Sequence, residues 1–286
     1  MTLLAIAFPE IDPIAVSFGP VAIRWYGLAY MAGLILGWLY IRRLLSENRL
    51  WRDGKAPFGV ERVDDLLIYV TLGVILGGRL GYVLFYEPGL YFQNPAEIIK
   101  VWKGGMSFHG AIVGSGLALW AFARRYGLGV MSTMDVCAAA NPIGLFFGRI
   151  ANFINGELYG RPTDVSWGTV FCNDSLRRHY GGECPAELLV PRHPSQLYEA
   201  ALEGLVLFLV LRYLTHTKFA LKNPGTIIGV FLIGYGIARS ACEFFRDPHA
   251  GHFLNIGPFT AGMVYSVPMI MLGAYFVAKA RAGARQ

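Results

Sequence analysis

Seven stretches of this chain are apolar over roughly the length of a bilayer-spanning helix, and that repetition restricts the fold more than any single motif. They run from Phe18 to Tyr40, Asp65 to Tyr86, Phe108 to Phe122, Asp135 to Asn155, Ser195 to Leu214, Gly225 to Phe245 and Phe259 to Val277. A helix crosses the hydrocarbon core with about 20 residues, so each is a candidate span. The third is short and the fifth is polar at one end. Of the 286 residues, 55% are hydrophobic and 15% charged, with a mean hydropathy of +0.45. That balance is poor in charge for a soluble domain. The expectation is an all-α integral membrane protein of seven transmembrane helices, with residues 1–286 forming a single polytopic membrane domain.

Lys and Arg set the orientation. The loops after the first, third, fifth and seventh spans, from the Arg42–Arg62 group to Lys279, Arg281 and Arg285, carry twice the basic residues of the opposite loops. This places the N-terminus outside and the C-terminus in the cytoplasm. The same bias accounts for the net charge of +6 without invoking nucleic acid. The first twenty residues contain Glu10 and Asp12 but no Lys or Arg, so they read as a surface segment rather than a cleavable signal. Residues 87–104 read as an interfacial arm on the outer side. Residues 156–194, polar and containing the strand-like "WGTVF", read as a small external head. Cys172 and Cys184 lie in that head, either as a disulfide or as two free thiols.

Polar residues inside the spans are costly, so each is a candidate for function. They gather in the outer half. Arg24 and Tyr26 fall near the outer end of the first span, and Arg79 near that of the second. "GGMSFHG" (104–110) opens the third span and presents His109 from a glycine-rich turn. "GRIANFINGELYGR" (148–161) sets Arg149, Asn152, Asn155 and Glu157 around the end of the fourth. Glu199 and Glu203 begin the fifth. Tyr235, Arg239, Glu243 and Arg246 climb the sixth at helical spacing. Several have plainer readings: Arg24 as a snorkelling anchor, Tyr26 as a belt aromatic, Arg79 as half of a structural pair, Glu199 and Glu203 as partners for arginines. Arg149 and Arg239 require an anion beside them. Glu157 and Glu243 could supply it, and so could a lipid phosphate, which suits the planar guanidinium fork. No Gly-x-Ser-x-Gly elbow, glycosidase-like carboxylate pair or metal-spaced Cys/His cluster is present, so no metal or other cofactor is expected. If the chain is an enzyme, its nucleophile can come from the substrate.

Six blocks carry a resemblance. "GRIANFINGELYGRP", "GGRLGYVLFY" (77–86), "GGMSFHG", "RHPSQLYEA" (192–200), "LIGYGIARSACEFFR" (232–246) and "IRWYGLAYMAG" (23–33) resemble, in order, the signatures of bacterial prolipoprotein diacylglyceryl transferases. Ala151 and Tyr159 stand where that family often has Gly and Trp. The resemblance implies an inner-membrane enzyme with its site toward the outer leaflet. It would transfer the diacylglyceryl group of phosphatidylglycerol to the lipobox cysteine of prolipoprotein signal peptides, forming a thioether and releasing glycerol phosphate. It implies Arg149 and Arg239 on the phosphate and His109 as candidate base. Tyr26, Asn152 and Asn155 would orient headgroup oxygens, Gly160 would permit close approach, and Glu157 and Glu243 would position the arginines. Arg79, Tyr235 and Arg246 complete the expected substrate-binding set. The competing reading is an anionic-lipid-binding or transport protein with an outer-leaflet arginine cavity.

Overall fold

The computed structural model describes residues 5–19, 21–247 and 259–283. Arg285, used in the orientation argument, lies outside them, as do residues 1–4 and 20 of the N-terminal segment. The chain divides into two compact units, Met1–Tyr40 with Cys137–Gln286, and Ile41–Val136.

In the first unit, β2 (Ile14–Phe18) and β3 (Val21–Arg24) form an antiparallel hairpin ahead of α1 (Trp25–Ser46). This corrects the expected start of the first span. Arg24 is not inside a helix but pairs with Ile14 across the hairpin. The β-branched Val16, Val21 and Ile23 favour extended backbone, and Gly19 takes a φ of 57° at the turn, a conformation that glycine adopts without steric cost.

The unit continues through α5 (Val130–Ile154), most of which belongs to it, and then the head. There β1 (Ile6–Ala7) runs parallel to β4 (Thr169–Val170), the strand expected from "WGTVF". The short helix α6 (Asp174–His179) is capped by Asn173, whose side chain accepts a hydrogen bond from the Leu176 amide at 2.8 Å. Phe8, Phe171, Leu176, Cys184 and Leu188 form a small buried core. Cys172 and Cys184 are joined as a disulfide across a 12-residue separation. Closing a loop of that size contributes about 3 kcal/mol in the chain-entropy account. A core of five residues gains most from such a staple.

The chain then enters a continuous helical run: α7 (Ser195–Glu199), a π-helical segment (Ala200–Val206) and α8 (Leu207–His216). Then come α9 (Thr226–Glu243) and α10 (Ala261–Gly283), which pack closely on each other.

The second unit is built on α2 (Val63–Phe85), α3 (Pro88–Gln93) and α4 (Phe108–Arg125). Along α2, Ile68, Leu72, Leu76, Leu80 and Leu84 recur every four residues, and each is more than half exposed. Gly73, Gly77 and Gly81 recur with the same period and pack on α4. A Cβ on Gly77 would meet the Gly110 carbonyl oxygen, and lie 2.7 Å from Gly114 Cα. Small residues inside and large apolar residues outside is the arrangement of a helix pair solvated by lipid. Gly104 and Gly105, with φ of 84° and 79°, supply the turn expected of "GGMSFHG". Gly110 serves instead as helix-to-helix contact. Phe85 at the end of α2 and Phe92, Ile99 and Trp102 in the arm stand outward, each at least 73% exposed.

Among the described residues, five helices are long and apolar enough to cross a membrane: Trp25–Ser46, Val60–Phe85, Val130–Ile154, Thr226–Glu243 and Gly262–Gly283. The third and fifth expected spans are helical as well, but α4 includes His109, Arg124 and Arg125 among its 18 residues, and the Ser195–His216 run carries Glu199, Glu203 and Arg212. The protein is a largely helical, multi-pass membrane protein.

Candidate active site

The polarity of "GRIANFINGELYGR" is explained by how α5 ends. Gly156 and Leu158 take φ of 65° and 58°, which breaks the helix and folds the chain back. The Glu157 amide donates to the Asn152 carbonyl at 3.0 Å. Its carboxylate accepts from the side-chain amides of Asn152 at 2.8 Å and Asn155 at 3.3 Å. Glu157 therefore pairs with the two asparagines. Gln196, fully buried on α7, donates to the Glu157 carbonyl at 2.6 Å and anchors the turn.

Arg149 sits one turn earlier and points to the α7–π run. Its Nε lies 2.9 Å from Glu199 Oε2, and its Nη2 lies 3.3 Å from Glu203 Oε2. Arg239 comes to the same carboxylates from α9, with Nη1 at 2.8 Å from Glu199 Oε1 and 3.9 Å from Glu203 Oε1. Its Nη2 pairs with Glu243 Oε1 one turn on. Arg246, just beyond the end of α9, closes the group with Nη1 at 2.7 Å from Glu199 Oε1 and Nε at 3.5 Å from Glu243 Oε1. Three arginines thus face three glutamates. Glu199 and Glu203 are 0% exposed and no arginine exceeds 18%. Buried charges persist only when paired. Glu199, which meets all three arginines, is the centre of the group, and the reading of Glu199 and Glu203 as arginine partners describes their place in it.

The π-helical segment begins directly after Glu199 and contains Glu203. A π turn inserts an extra residue and rotates the helix beyond it, and such turns cluster at functional sites. Within it, Gly204 passes so close to α5 that a Cβ would lie 2.7 Å from Phe146 Cβ. The helix carrying the glutamates is therefore held against the helix carrying Arg149.

The remaining expected residues divide. Tyr235 is buried, stacked on Phe231 with ring centroids 6.0 Å apart, and lies within electrostatic range of Arg149, Arg239, Glu199 and Glu203. Tyr26 hydrogen-bonds Tyr30 at 3.0 Å and lies within range of Glu157 and Arg149. Gly160 does make a close approach, but to protein: a Cβ there would meet the Phe245 carbonyl oxygen, while its own amide donates to His193 O at 2.8 Å. It forms a bridge with Arg246, so it places that arginine. His193 rests between Tyr198 and Phe245. Burial lowers its pKa against the opposing pull of Asp164, which favours the neutral ring.

In the second unit, Arg79 is 4% exposed and spends its donors on main-chain carbonyls: Glu97 and Gly104 at 2.6 Å, Ile98 at 2.8 Å and Gly105 at 3.0 Å. Its guanidinium also lies 5.0 Å from the Tyr91 ring centroid. Arg79 organises the arm and the glycine turn. His109 occupies the first turn of α4 behind the Ser107 cap, whose hydroxyl accepts from Gly110 N at 3.2 Å. Gln196 was not among the expected residues. Its signal was its place in the "RHPSQLYEA" block, three positions before Glu199.

The family model for prolipoprotein diacylglyceryl transferase matches residues 13–279. Curated relatives named phosphatidylglycerol–prolipoprotein diacylglyceryl transferase are similar over nearly their whole length. The Rhizobium meliloti protein is 49% identical over 99% of this chain and 96% of its own. The one from Rhizobium leguminosarum bv. trifolii is 50% identical over 98% and 95%, and that from Agrobacterium fabrum is 49% identical over 99% and 98%. With its motifs in order and Arg149 and Arg239 meeting on Glu199, the chain belongs to the prolipoprotein diacylglyceryl transferase family.

Proposed function

We propose that this chain transfers the diacylglyceryl group of phosphatidylglycerol to the lipobox cysteine of prolipoprotein signal peptides. The observation that carries the reading is the convergence of Arg149 and Arg239 on the two oxygens of Glu199. Two guanidinium groups that can share one carboxylate can share one phosphate, whose charge and oxygen spacing are similar. The substrate thiolate attacks the glyceryl carbon bonded to the phosphate oxygen. The carbon–oxygen bond breaks, its electrons stay with the leaving glycerol phosphate, and a thioether forms. Charge grows on the departing oxygen, where Arg149 and Arg239 act; such stabilisation is typically worth about 3–4 kcal/mol per donor. Asn152, Asn155 and Tyr26 orient headgroup oxygens. Glu157 holds the two asparagines, Glu243 holds Arg239, and Gly160 places Arg246.

His109 is proposed as the base that takes the thiol proton. A free thiol ionises near pH 8.5, so a modest shift suffices. His109→Gln should then lower turnover strongly near neutrality and recover part of it as pH rises, because the thiol ionises unaided. A pH–rate profile parallel to that of the parent from pH 6 to 9, with chemistry limiting, assigns His109 a positional role instead.

The same reading puts the protein in the bacterial inner membrane with seven spans, its N-terminus and head in the periplasm, and its site open to the outer leaflet. The Cys172–Cys184 disulfide supports this side for the head, since such bonds persist in oxidising compartments. A membrane-impermeant thiol reagent should label a cysteine introduced at position 175 in cells with an opened outer membrane, and one at position 283 only after the inner membrane is opened. The reverse pattern would overturn the orientation.

The direct test of function is incubation of the purified protein with phosphatidylglycerol and a lipobox peptide. Stoichiometric release of glycerol phosphate with thioether formation is expected. Lipid binding with no release would favour the lipid-binding or transport reading.

A further inference from the structure

With all six side chains ionised, the buried ion-pair group is balanced before any substrate arrives. Arg149, Arg239 and Arg246 face Glu199, Glu203 and Glu243, with no arginine side chain more than 18% exposed. A phosphodiester that displaces carboxylate oxygens from Arg149 and Arg239 brings one further negative charge. The group then holds four anions and three cations in a site that water scarcely reaches. An uncompensated buried charge is costly, and the least expensive remedy is protonation of one carboxylate.

The three carboxylates are not equally placed to accept it. Glu199 meets all three arginines, with contacts of 2.9, 2.8 and 2.7 Å. Glu243 pairs with Arg239 and lies 3.5 Å from Arg246. Glu203 has the weakest hold: 3.3 Å to Arg149 through one oxygen and 3.9 Å to Arg239 through the other. It is 0% exposed, and among the described residues its Oε1, like Glu199 Oε2, has no hydrogen-bond partner. The groups facing it are Arg149 from α5, Glu199 one turn before it, and Arg239, Tyr235 and Cys242 from α9. Its two nearest cations are the two that the phosphate would claim.

We propose that Glu203 takes up a proton from solvent when the phosphate of an anionic lipid binds Arg149 and Arg239, and so keeps the buried group neutral. Glu203 is in this account a positioning residue that acts through the arginines. The inference rests on the reading of the arginine pair as the phosphate site.

The test is calorimetric titration of the full-length protein in detergent micelles with short-chain phosphatidylglycerol, in two buffers of different ionisation enthalpy. About one proton should be taken up per lipid bound, and the apparent Kd should rise about tenfold per pH unit where Glu203 is ionised in the lipid-free protein. Glu203→Gln is isosteric and permanently neutral. It should bind the same lipid with no proton uptake and a flat pH dependence, and more tightly than the parent at alkaline pH. Glu203→Asp should retain the uptake, which guards against a Gln variant that does not fold. Lipid binding by the parent without proton uptake overturns the proposal, and so does a full proton taken up by Glu203→Gln. No lipid binding by the parent at any pH overturns instead the reading of the arginines on which the proposal stands.

Discussion

Arg149→Ala and Arg239→Ala should each abolish transfer, with turnover lowered at least about 1,000-fold. Two losses combine. The first is electrostatic: one donor to the departing phosphate oxygen disappears, typically about 100- to 1,000-fold in rate. The second is structural. Removing Arg149 takes away the 2.9 Å contact to Glu199 and the 3.3 Å contact to Glu203, both on fully buried carboxylates. Breaking a buried pair from one side costs about 3–5 kcal/mol, because the partner is left charged and dry. The Ala variants should therefore melt at lower temperature as well as lose activity. Lysine separates the two effects. Arg239→Lys keeps the charge and should recover most of the stability. Arg239 uses separate nitrogens for Glu199 and Glu243, a fork that a single ammonium cannot reproduce. Turnover of Arg239→Lys should stay about 100-fold below the parent. Near-parental transfer rates in either Ala variant would remove that arginine from the mechanism; near-parental rates in Arg239→Lys would remove the need for a fork.

The second large effect lies in the second unit, at the contact of α2 with α4. Gly77→Ala should destabilise the protein by about 2 kcal/mol, and Gly77→Leu by more. The atoms a new Cβ would meet are main-chain atoms of α4, the Gly110 carbonyl oxygen and Gly114 Cα and N. Backbone cannot rotate aside as a side chain can, so α2 and α4 must separate, and overpacking of this kind costs about 1–3 kcal/mol. His109 stands on the first turn of α4, so transfer should fall with stability. Gly116→Ala is the control on α4 itself, because nothing lies within 4 Å of the added carbon. There the better helix propensity of alanine should leave stability unchanged or raise it by up to about 1 kcal/mol. Equal melting of Gly77→Ala and Gly116→Ala in detergent would show that the helices do not need their close approach.

The membrane class was legible along the chain because the hydrophobic requirement of a span is local: about 20 residues must be apolar whatever they later touch. For the same reason the intramembrane Arg149, Arg239 and Glu243 stood out as candidates. A charge is conspicuous against an apolar run without any knowledge of its partner. The family motifs were legible too, since each is a contiguous block. Helix starts were less so. Apolarity rises at Phe18, but Gly19 and the β-branched residues around it build a hairpin, and α1 waits until Trp25. Hydropathy does not distinguish an apolar strand from an apolar helix over so few residues.

Partnership was decided only by the tertiary structure. Glu157 is next to the arginine motif in sequence yet pairs with Asn152 and Asn155, because the left-handed turn at Gly156 and Leu158 folds it back onto the end of α5. Arg149 finds its anions 50 and 54 positions later, on a helix whose π-helical segment and Gly204 contact settle its rotation and approach. Arg79 looked like one more intramembrane cation until its fork met main-chain carbonyls of the arm and the glycine turn. The cost of burying a charge is a property of one residue and can be read from sequence. Its compensation is a property of the space around it, and that exists only once helices distant in sequence have packed.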